Sequence, residues 1–331
     1  MQMRTLGQHG PKASAIGLGC MGMSGMYGPA DRAESLATIH AAVDAGINLI
    51  DTGDFYGMGH NELLIAEALG ERPREEVLIS VKFGAQRGPD GAWLGYDARP
   101  QAVKTACAYS LQRLRTDYID IYRPARLDPA VPIEETVGAI AELVKAGYVR
   151  HIGLSEVGSE TLRRAARVHP ICDLQIEYSL ICRGLEDGIL QTCRDLGIGI
   201  TAYGVLARGL VNSHRPNLSA AGDFRGHTPR FQGENLERNL QLVEALREVA
   251  AEHGLTAPQA AIAWVLAQGE DIVPLVGARR RDRLAEALGA LKAGLSADDL
   301  KALEQAIPKG AAAGERYPAA QMGQLDSERR A

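Results

Sequence analysis

The chain has 331 residues, of which 46% are hydrophobic and 23% charged, and its formal net charge at pH 7 is -5. This length suits two average domains or one large α/β barrel. The mild negative charge gives no electrostatic reason to expect nucleic acid or an anionic membrane as a partner. The five cysteines are widely spaced, the N-terminus has no apolar signal region, and no apolar run reaches ~18 residues. We therefore expect a cytoplasmic protein without a disulfide framework, a metal site or a membrane span.

Short apolar runs alternate with segments of helical periodicity along the chain. Segments such as residues 31–46 and 132–147 carry a helical apolar stripe and end in glycine. Repeated strand–helix units form a parallel sheet with helical crossovers, and eight of them predict a closed (β/α)8 TIM barrel. The predicted strands cover residues 15–20, 47–51, 77–82, 118–125, 149–155, 172–177, 198–203 and 271–277.

Three segments lie outside this alternation. Residues 3–14 contain Gly and Pro before the first barrel strand, and they predict an N-terminal β-hairpin that plugs the bottom of the barrel. Residues 205–232 and the tail from about Pro308 are long loops, which in compact domains are usually functional or disordered. We expect them to cover a cofactor and a substrate. Because we find no repeat and no linker, residues 1–331 are predicted to form one barrel domain.

The motif "GLGCMG" at residues 17–22 has the spacing of a dinucleotide-binding glycine loop, and Asp51 ends the next predicted strand. In that alternative fold the helix must begin within the glycine motif, so that its N-terminus faces the pyrophosphate. Here the helix is predicted to start near Pro29 or Ala30, which leaves an intervening loop. The barrel is therefore the preferred fold.

Three residues at predicted strand ends form a candidate proton-transfer set. Asp51 and Lys82 end two neighbouring strands, and Tyr56 follows Asp51 by five residues. Side chains at the carboxyl ends of barrel strands face the active site. An ammonium near a tyrosine lowers the pKa of the phenol, and a carboxylate can hold the lysine in place. A structural salt bridge between Asp51 and Lys82, with Tyr56 packing a loop, remains an equal alternative at this point.

Many segments together resemble the aldo-keto reductases, from about Arg4 to Ile307 and in the expected order. They include "GLGCMGMSGMYG", "IDTGDFYG", "ISVKFG", "DYIDIY", "VRHIGLSE", "LQIEYSL", "GITAYGVLARGL" and "IVPLVGARR". Residues 227–239 are similar to the subgroup that includes plant perakine reductase. The resemblance implies an NADP(H)-dependent oxidoreductase that reduces a small-molecule aldehyde or ketone to an alcohol. Tyr56 would be the proton donor, tuned by Lys82 and Asp51.

The resemblance also implies how NADPH binds. Ser155, Glu156 and Gln175 would hold the nicotinamide carboxamide, and the nicotinamide would stack on Tyr203, although a strand-end aromatic can simply cap the core. The loop after the seventh strand would lie over the pyrophosphate. The cofactor-binding residues carried over are Gly22, Met23, Asp51, Ser155, Glu156, Gln175, Tyr203, Gly204, Leu206, Arg208, Gly277, Arg279, Arg283 and Glu286.

The loop after the eighth strand is rich in arginine. Arg279 and Arg283 match positions that contact the 2′-phosphate of NADPH, which favours NADP over NAD. A basic cluster is otherwise usually a solvated surface. Ala287 stands where the family has an adenine-contacting Asn, so the affinity for NADPH is expected to be modest. Gly204 replaces a common serine, which is expected to open space near the cofactor.

One departure concerns the fourth strand, where a histidine of the family aligns with Ala125. Because side chains alternate along a strand, Ile121, Arg123 and Ala125 share the inward face. A buried Arg123 needs a partner, for which Asp51 is the candidate. We expect Arg123 either to form this structural ion pair or to extend upward beside Ala125 and take the catalytic role of the missing donor.

The absent histidine leaves a second functional reading open. The chain could be an NADP(H)-binding regulatory or redox-sensing module with weak or no turnover. Retention of Asp51, Tyr56 and Lys82 favours the enzyme, since a module that only binds the cofactor has no need of a proton donor. The sequence leaves open whether the protein is a monomer or a homo-oligomer, and which carbonyl compound is the substrate.

Overall fold

The computed structural model describes residues 1–70, 72–212, 218 and 223–329. Eight of the strands in these residues close a parallel barrel, and the other four form two antiparallel hairpins. In chain order the strands are β1 (Met3–Thr5), β2 (Lys12–Ser14), β3 (Gly17–Gly19), β4 (Leu49–Gly53), β5 (Leu78–Phe83), β6 (Ala85–Arg87), β7 (Trp93–Tyr96), β8 (Ile119–Pro124), β9 (Val149–Ser155), β10 (Ile171–Glu177), β11 (Gly199–Tyr203) and β12 (Ile272–Gly277).

The barrel runs in the order β3, β4, β5, β8, β9, β10, β11 and β12, and β12 pairs with β3 to close it. Each of the eight predicted strands falls on one of these, so the (β/α)8 prediction is confirmed. Helices surround the barrel: α1 (Arg32–Asp44), α2 (His60–Leu69), α3 (Pro100–Leu114), α4 (Ile133–Ala146), α5 (Ser159–Val168), α6 (Ile189–Asp195), α7 (Gly233–Glu252), α8 (Ala257–Ala267), α9 (Arg281–Gly289), α10 (Ala297–Ala306) and α11 (Ala319–Met322).

The glycine motif of residues 17–22 belongs to β3 and to a short 3-10 segment, Met21–Ser24. Helix α1 begins only at Arg32, where the side chain of Asp31 caps it by accepting a hydrogen bond from Glu34 N at 2.7 Å. Helix α1 therefore does not begin within the glycine motif, and the closed barrel excludes the alternative dinucleotide-binding fold.

Two layers of apolar side chains fill the barrel and its surroundings. The larger cluster lies between strands and helices, and a smaller one inside the barrel comprises Leu6, Ala13, Leu49, Ile121, Cys172, Val273 and Leu275. Two residues beyond the inner positions of Leu49 and Ile121 come Asp51 and Arg123. Because a strand advances about 6.6–6.8 Å over two residues, the barrel interior changes from an apolar lower layer to a polar upper layer.

The N-terminal hairpin β1–β2 closes the lower end of the barrel, as predicted. Leu6 and Ala13 are completely buried in the inner cluster, and Gln8 N donates to Gly197 O at 2.8 Å beside the start of β11. Gly7 has φ 66°, and a Cβ there would come within 2.6 Å of the backbone oxygens of Cys172 and Gly197. Only glycine fits this close approach.

The structure adds order to two loops that sequence patterns left undivided. The segment after β5 folds into the hairpin β6–β7, in which Trp93 packs edge-on against Tyr96 at 4.9 Å between ring centroids. The tail beyond α10 contains α11 and returns over the carboxyl ends of the strands. Residues 213–217 and 219–222 of the predicted cofactor-covering loop lie outside the described residues. Among the helices of the described part, none is both long and apolar enough to cross a membrane.

Candidate active site

Asp51 is the centre of a buried polar cluster at the carboxyl ends of β4, β5 and β10. Lys82 Nζ lies 2.5 Å from Asp51 Oδ1. Asp51 Oδ2 accepts hydrogen bonds from Ser80 Oγ at 2.9 Å and from Gln175 Nε2 at 2.7 Å. Asp51 and Lys82 are each 4% exposed, so salt screens their attraction only weakly. The ion pair expected from the sequence is present, and Ser80 is a partner of Asp51 that the sequence did not indicate.

Tyr56 lies on the turn that follows β4, next to this cluster. Its backbone N–H closes the turn by donating to Gly53 O at 3.0 Å. Lys82 Nζ lies 5.1 Å from the centroid of its ring, and the side chain is 6% exposed. On its other side the ring packs edge-on against Phe55. The phenol, the ammonium and the Asp51 carboxylate thus meet at one end of the barrel.

Burial dominates the acidity of this cluster. It raises the pKa of Tyr56 well above the ordinary value, and the charge of Asp51 acts in the same direction. Burial also lowers the pKa of Lys82, an effect that Asp51 opposes. We expected Lys82 to depress the pKa of Tyr56, and this expectation is wrong, because desolvation of the phenolate outweighs the attraction of nearby cations. A tyrosine with a raised pKa keeps its proton at neutral pH, as a proton donor must.

Arg123 points into the barrel but does not bind the Asp51 cluster. Its Nη2 lies 3.0 Å from Asp173 Oδ2 on β10, and its Nη1 donates to Thr201 Oγ1 on β11 at 3.2 Å. The expectation that Asp51 pairs with Arg123, or that Arg123 rises beside Ala125, is wrong. Asp51 is already bound by three other side chains, and a completely buried guanidinium needs a carboxylate of its own.

Arg126 is the cation that the sequence analysis missed at this end of the barrel. Its Nη1 donates to Ala125 O at 2.6 Å and to Ser155 Oγ at 3.3 Å, and its Nη2 donates to Tyr317 Oη at 3.2 Å. Strict alternation along β8 would turn this side chain outward. Since β8 ends at Pro124, alternation no longer applies to Arg126. Its position directly after the missing histidine was the available signal.

The residues expected around the nicotinamide lie together, and the C-terminal tail is bound to them. Arg316 holds the carboxylate of Glu156 with two hydrogen bonds, Nη1 to Oε1 at 2.9 Å and Nη2 to Oε2 at 2.7 Å. Tyr203 Oη donates to Glu156 Oε1 at 2.7 Å, and Ser327 Oγ donates to Oε2 at 2.6 Å. Although burial opposes ionisation, Arg316 holds the pKa of Glu156 well below its ordinary value.

A second buried carboxylate, Glu177, joins the loop after β11 to the tail. Arg208 Nη2 and Arg316 Nη1 approach its Oε2 to 2.8 and 3.2 Å, and the ring of Tyr317 lies 4.0 Å from Arg208 Cζ. Gly204 has φ 67°, and a Cβ there would come 3.0 Å from Glu177 Cγ. The expectation that Gly204 opens space is wrong, because Glu177 fills that side and the glycine serves a left-handed turn.

The arginines after β12 differ in whether they form an ion pair with a carboxylate of the described residues. Arg283 Nη1 lies 3.0 Å from Glu286 Oε2. Arg279 Nη1 donates only to the backbone oxygens of residues 27–29, at 3.0–3.3 Å, and no carboxylate of the described residues pairs with it. Gly277, which precedes this loop, is exposed, and a Cβ there would meet no atom within 4 Å.

Three further residues carried over from the resemblance border the same end of the barrel. Gly22 and Met23 lie in the 3-10 segment after β3, and Leu206 follows β11. A Cβ on Gly22 would meet only Tyr27 Cδ2 at 3.5 Å, whereas the side chain of Met23 packs into the outer core. The strand ends and the loops that follow them therefore hold most of the carried-over residues, whereas Arg283 and Glu286 lie on α9.

Comparisons with known proteins show the family of this chain. Residues 15–308 match the model of the aldo/keto reductase family. The chain is 43% identical over 317 residues to "Probable aldo-keto reductase 1" of Glycine max, covering 94% of this chain and 90% of that protein. It is 38% identical over 310 residues to "Aldo-keto reductase yakc [NADP(+)]" of Schizosaccharomyces pombe, covering 92% and 91%.

Solved structures agree as well. The glycerol dehydrogenase AKR11B4 from Gluconobacter oxydans matches with a TM-score of 0.83 and 28% identity, over 93% of this chain and 95% of that one. The aldo-keto reductase AKR11C1 from Bacillus halodurans matches with a TM-score of 0.77 and 26% identity, over 95% and 98%. Proteins of this family are oxidoreductases that use nicotinamide cofactors and act on small-molecule carbonyl compounds. The chain belongs to the aldo/keto reductase family.

Proposed function

We propose that this chain is an NADP(H)-dependent reductase that converts an aldehyde or ketone into an alcohol, with Tyr56 as the proton donor. The observation that carries the proposal is the arrangement of Tyr56, Lys82 and Asp51. A protonated phenol lies beside a buried ammonium, which a carboxylate fixes at 2.5 Å. During reduction of a carbonyl group the protein must deliver one proton to the carbonyl oxygen, and these three residues are suited to deliver it.

The residues present fit a nicotinamide cofactor. Ser155 and Tyr203 lie at the carboxyl ends of β9 and β11, the two strands that flank β10, and β10 is opposite β4 in the strand order. Arg279 is a permanent cation without a carboxylate partner among the described residues, and it lies in the loop after the last strand, where barrels often bind phosphate. Gly277 leaves open space before it. When bound there, NADPH supplies the hydride that the carbonyl carbon accepts.

The proton follows a short path in this chain. Tyr56 Oη gives its proton to the carbonyl oxygen as that oxygen gains negative charge. The phenolate that remains lies beside the Lys82 ammonium, whose charge stabilises it. Asp51 keeps the ammonium in place, and Ser80 and Gln175 fix the second carboxylate oxygen, so the lysine has little freedom to move. The cluster is thus positioned before substrate arrives.

A preference for NADP over NAD is part of the proposal. Arg279 and Arg283 supply guanidinium groups suited to the 2′-phosphate, since arginine binds phosphate with two charge-assisted hydrogen bonds. The name of the Schizosaccharomyces pombe relative specifies NADP(+), which supports the same preference at 38% identity.

The decisive experiment measures NADPH oxidation with a panel of aldehydes for the wild type and for Tyr56→Phe. Loss of a positioned general acid is expected to reduce kcat by about 10²–10⁴-fold. NADPH binding, measured by the quenching of protein fluorescence, is expected to stay unchanged, because the substitution removes only one hydroxyl group.

Two results would contradict the proposal. Undiminished turnover by Tyr56→Phe would remove Tyr56 from the proton path. A wild-type protein that binds NADPH but reduces no carbonyl compound would be the binding module that the absence of a histidine at Ala125 leaves open.

A further inference from the structure

Arg126 differs from the other buried arginines of the barrel in its partners. Arg123, Arg208 and Arg316 each contact a carboxylate, at 3.0, 2.8 and 2.7 Å. In the part of the chain that the structure describes, Arg126 has only neutral acceptors: the backbone oxygen of Ala125, a serine hydroxyl and a tyrosine hydroxyl. Within the described ranges no carboxylate lies at salt-bridge distance from it. A partly buried cation without a counter-ion is costly, and an incoming anion lowers that cost.

The carboxylate that attracts Arg126 electrostatically, Glu156, makes its hydrogen bonds with other residues. Glu156 makes its direct contacts with Arg316, Tyr203 and Ser327. Three tyrosines, Tyr96, Tyr203 and Tyr317, also lie within electrostatic reach of Arg126. The positive charge of Arg126 is therefore not neutralised by direct contact within the described part of the chain.

The donors of Arg126 are only partly used. Nη1 donates its two hydrogens to Ala125 O and Ser155 Oγ, and Nη2 donates one hydrogen to Tyr317 Oη. The Nε–H and the second Nη2 hydrogen have no acceptor among the described residues. Nε and Nη2 form one edge of a guanidinium, and such an edge binds a carboxylate through two parallel hydrogen bonds. The existing bonds hold the group in place without occupying this edge fully.

Arg126 also lies within electrostatic reach of the reaction centre. Its charge lowers the pKa values of Tyr56 and Lys82, although burial remains the dominant influence on both. Ala125, which precedes it, ends in a methyl group and offers no side-chain donor. An anion held by Arg126 would consequently lie close to the carbonyl group that receives the proton of Tyr56.

We propose that Arg126 is a specificity residue that binds a carboxylate of the substrate, so that the preferred substrates are oxo acids, meaning aldehydes or ketones that carry a carboxylate. This inference rests on the proposed reductase function. It explains why a cation is held at the barrel mouth without a carboxylate of its own. Neutral carbonyl compounds of equal size lack the group that Arg126 binds, and they are poorer substrates.

The test compares 3-carboxybenzaldehyde with its methyl ester, which has the same reacting aldehyde but no charge. We expect kcat/KM of the wild type to be about tenfold or more higher for the acid, the size of one charge-assisted interaction. Arg126→Gln is expected to abolish this ratio, and Arg126→Lys to keep part of it. Arg87→Gln removes an equal charge from the β6–β7 hairpin and is expected to leave the ratio unchanged, which makes it the matched control.

The dissociation constant of NADPH, measured for the same variants, separates the two sources of an anion. If Arg126→Gln weakens NADPH binding and leaves the acid-to-ester ratio intact, Arg126 serves a cofactor phosphate and the proposal is overturned. A wild-type ratio near one overturns it as well.

A binding experiment keeps this inference distinct from the proposed function. Calorimetry compares benzoate with the neutral isostere benzamide, each added to the complex with NADP⁺. If neither aldehyde is reduced but the wild type prefers benzoate and Arg126→Gln does not, the reductase function fails and the anion site stands. If both aldehydes are reduced equally well and benzoate binds no better than benzamide, the anion site fails and the reductase function stands.

Discussion

The guanidinium of Arg123 faces the carboxylate of Asp173 inside the barrel, with Nη2 3.0 Å from Oδ2 and both side chains completely buried. Arg123 Nη1 also donates a hydrogen bond to Thr201 Oγ1. Its partners differ from those of the Tyr56 cluster, in which Asp51 binds Lys82, Ser80 and Gln175. The pair of Arg123 and Asp173 balances charge within the barrel, and the geometry gives it no contact with the reacting atoms.

Arg123→Met should therefore affect stability far more than chemistry. Removal of one partner leaves Asp173 buried without its counter-ion, and the free energy of unfolding is expected to fall by about 3–5 kcal/mol. Urea denaturation measures this change. The double variant Arg123→Met/Asp173→Leu should recover much of the loss, because it removes the orphaned charge. A drop in kcat at unchanged stability would instead assign Arg123 a chemical role.

Asp54 predicts a pH-dependent effect on stability. Burial and the nearby charge of Glu62 raise the pKa of Asp54 to about 7, and its Oδ1 has no hydrogen-bond partner among the described residues. In the unfolded chain the pKa of an aspartate is about 3.9. The folded state thus binds the proton more tightly, and the stability associated with this group is lost as pH rises from about 4 through about 7.

Asp54→Asn removes that titration. The difference in the free energy of unfolding between the variant and the wild type should change by about 1–3 kcal/mol in favour of the variant as the pH rises from 5 to 8. Denaturant melts at both pH values measure the difference. Asp117→Asn, at an exposed position, is the control and should show no such gain. Parallel behaviour of the two variants would show that Asp54 ionises normally.

Arg279 predicts the cofactor preference. Among the described residues its guanidinium binds only the backbone oxygens of residues 27–29, so a 2′-phosphate can approach it without breaking an ion pair there. Arg279→Ala should raise KM for NADPH by about 10–100-fold, while KM for NADH stays nearly constant. Arg281→Ala, which breaks an exposed pair with Glu34, is the control. Equal effects on both cofactors would contradict a role in phosphate recognition.

The contacts of Arg316 indicate how the C-terminal tail is held in place. Its guanidinium contacts the carboxylates of Glu156, Glu177 and Glu328. Arg316→Met should increase amide hydrogen exchange in residues 308–329, because the buried acids lose their shared cation and repel one another. Arg238→Met removes an exposed arginine from α7 and should leave this exchange unchanged. Unaltered exchange in Arg316→Met would show that apolar packing alone secures the tail.

Local patterns were sufficient to predict the barrel and the core of its site. Alternation of strand and helix signals along the chain gave eight parallel strands, and parallel strands place their carboxyl ends at one edge. That rule alone brings Asp51 and Lys82 to the same end as Tyr56. The resemblance to a known family then added candidate cofactor-binding positions, of which Ser155 and Tyr203 lie at strand ends of the same barrel.

Pairings between distant residues were decided only by the tertiary structure. The sequence shows that Arg123 faces inward, but several buried carboxylates were available, and only the barrel geometry selects Asp173 over Asp51. The same holds for Glu156, whose partner Arg316 lies 160 residues away. Gly204 was misread for this reason, since Glu177 fills its open side.

The sequence by itself determined the fold, the candidate proton donor and the absence of a histidine at Ala125, because these depend on local periodicity and on which residue occupies each strand end. The tertiary structure decided which charges are neutralised. Electrostatic pairing acts through space and through burial, and neither is encoded in the spacing along one strand. Burial in the folded protein raises the pKa of Tyr56, where we expected a lowered one. The fold also leaves Arg126 as a partly buried cation beside the site, with no carboxylate partner among the described residues.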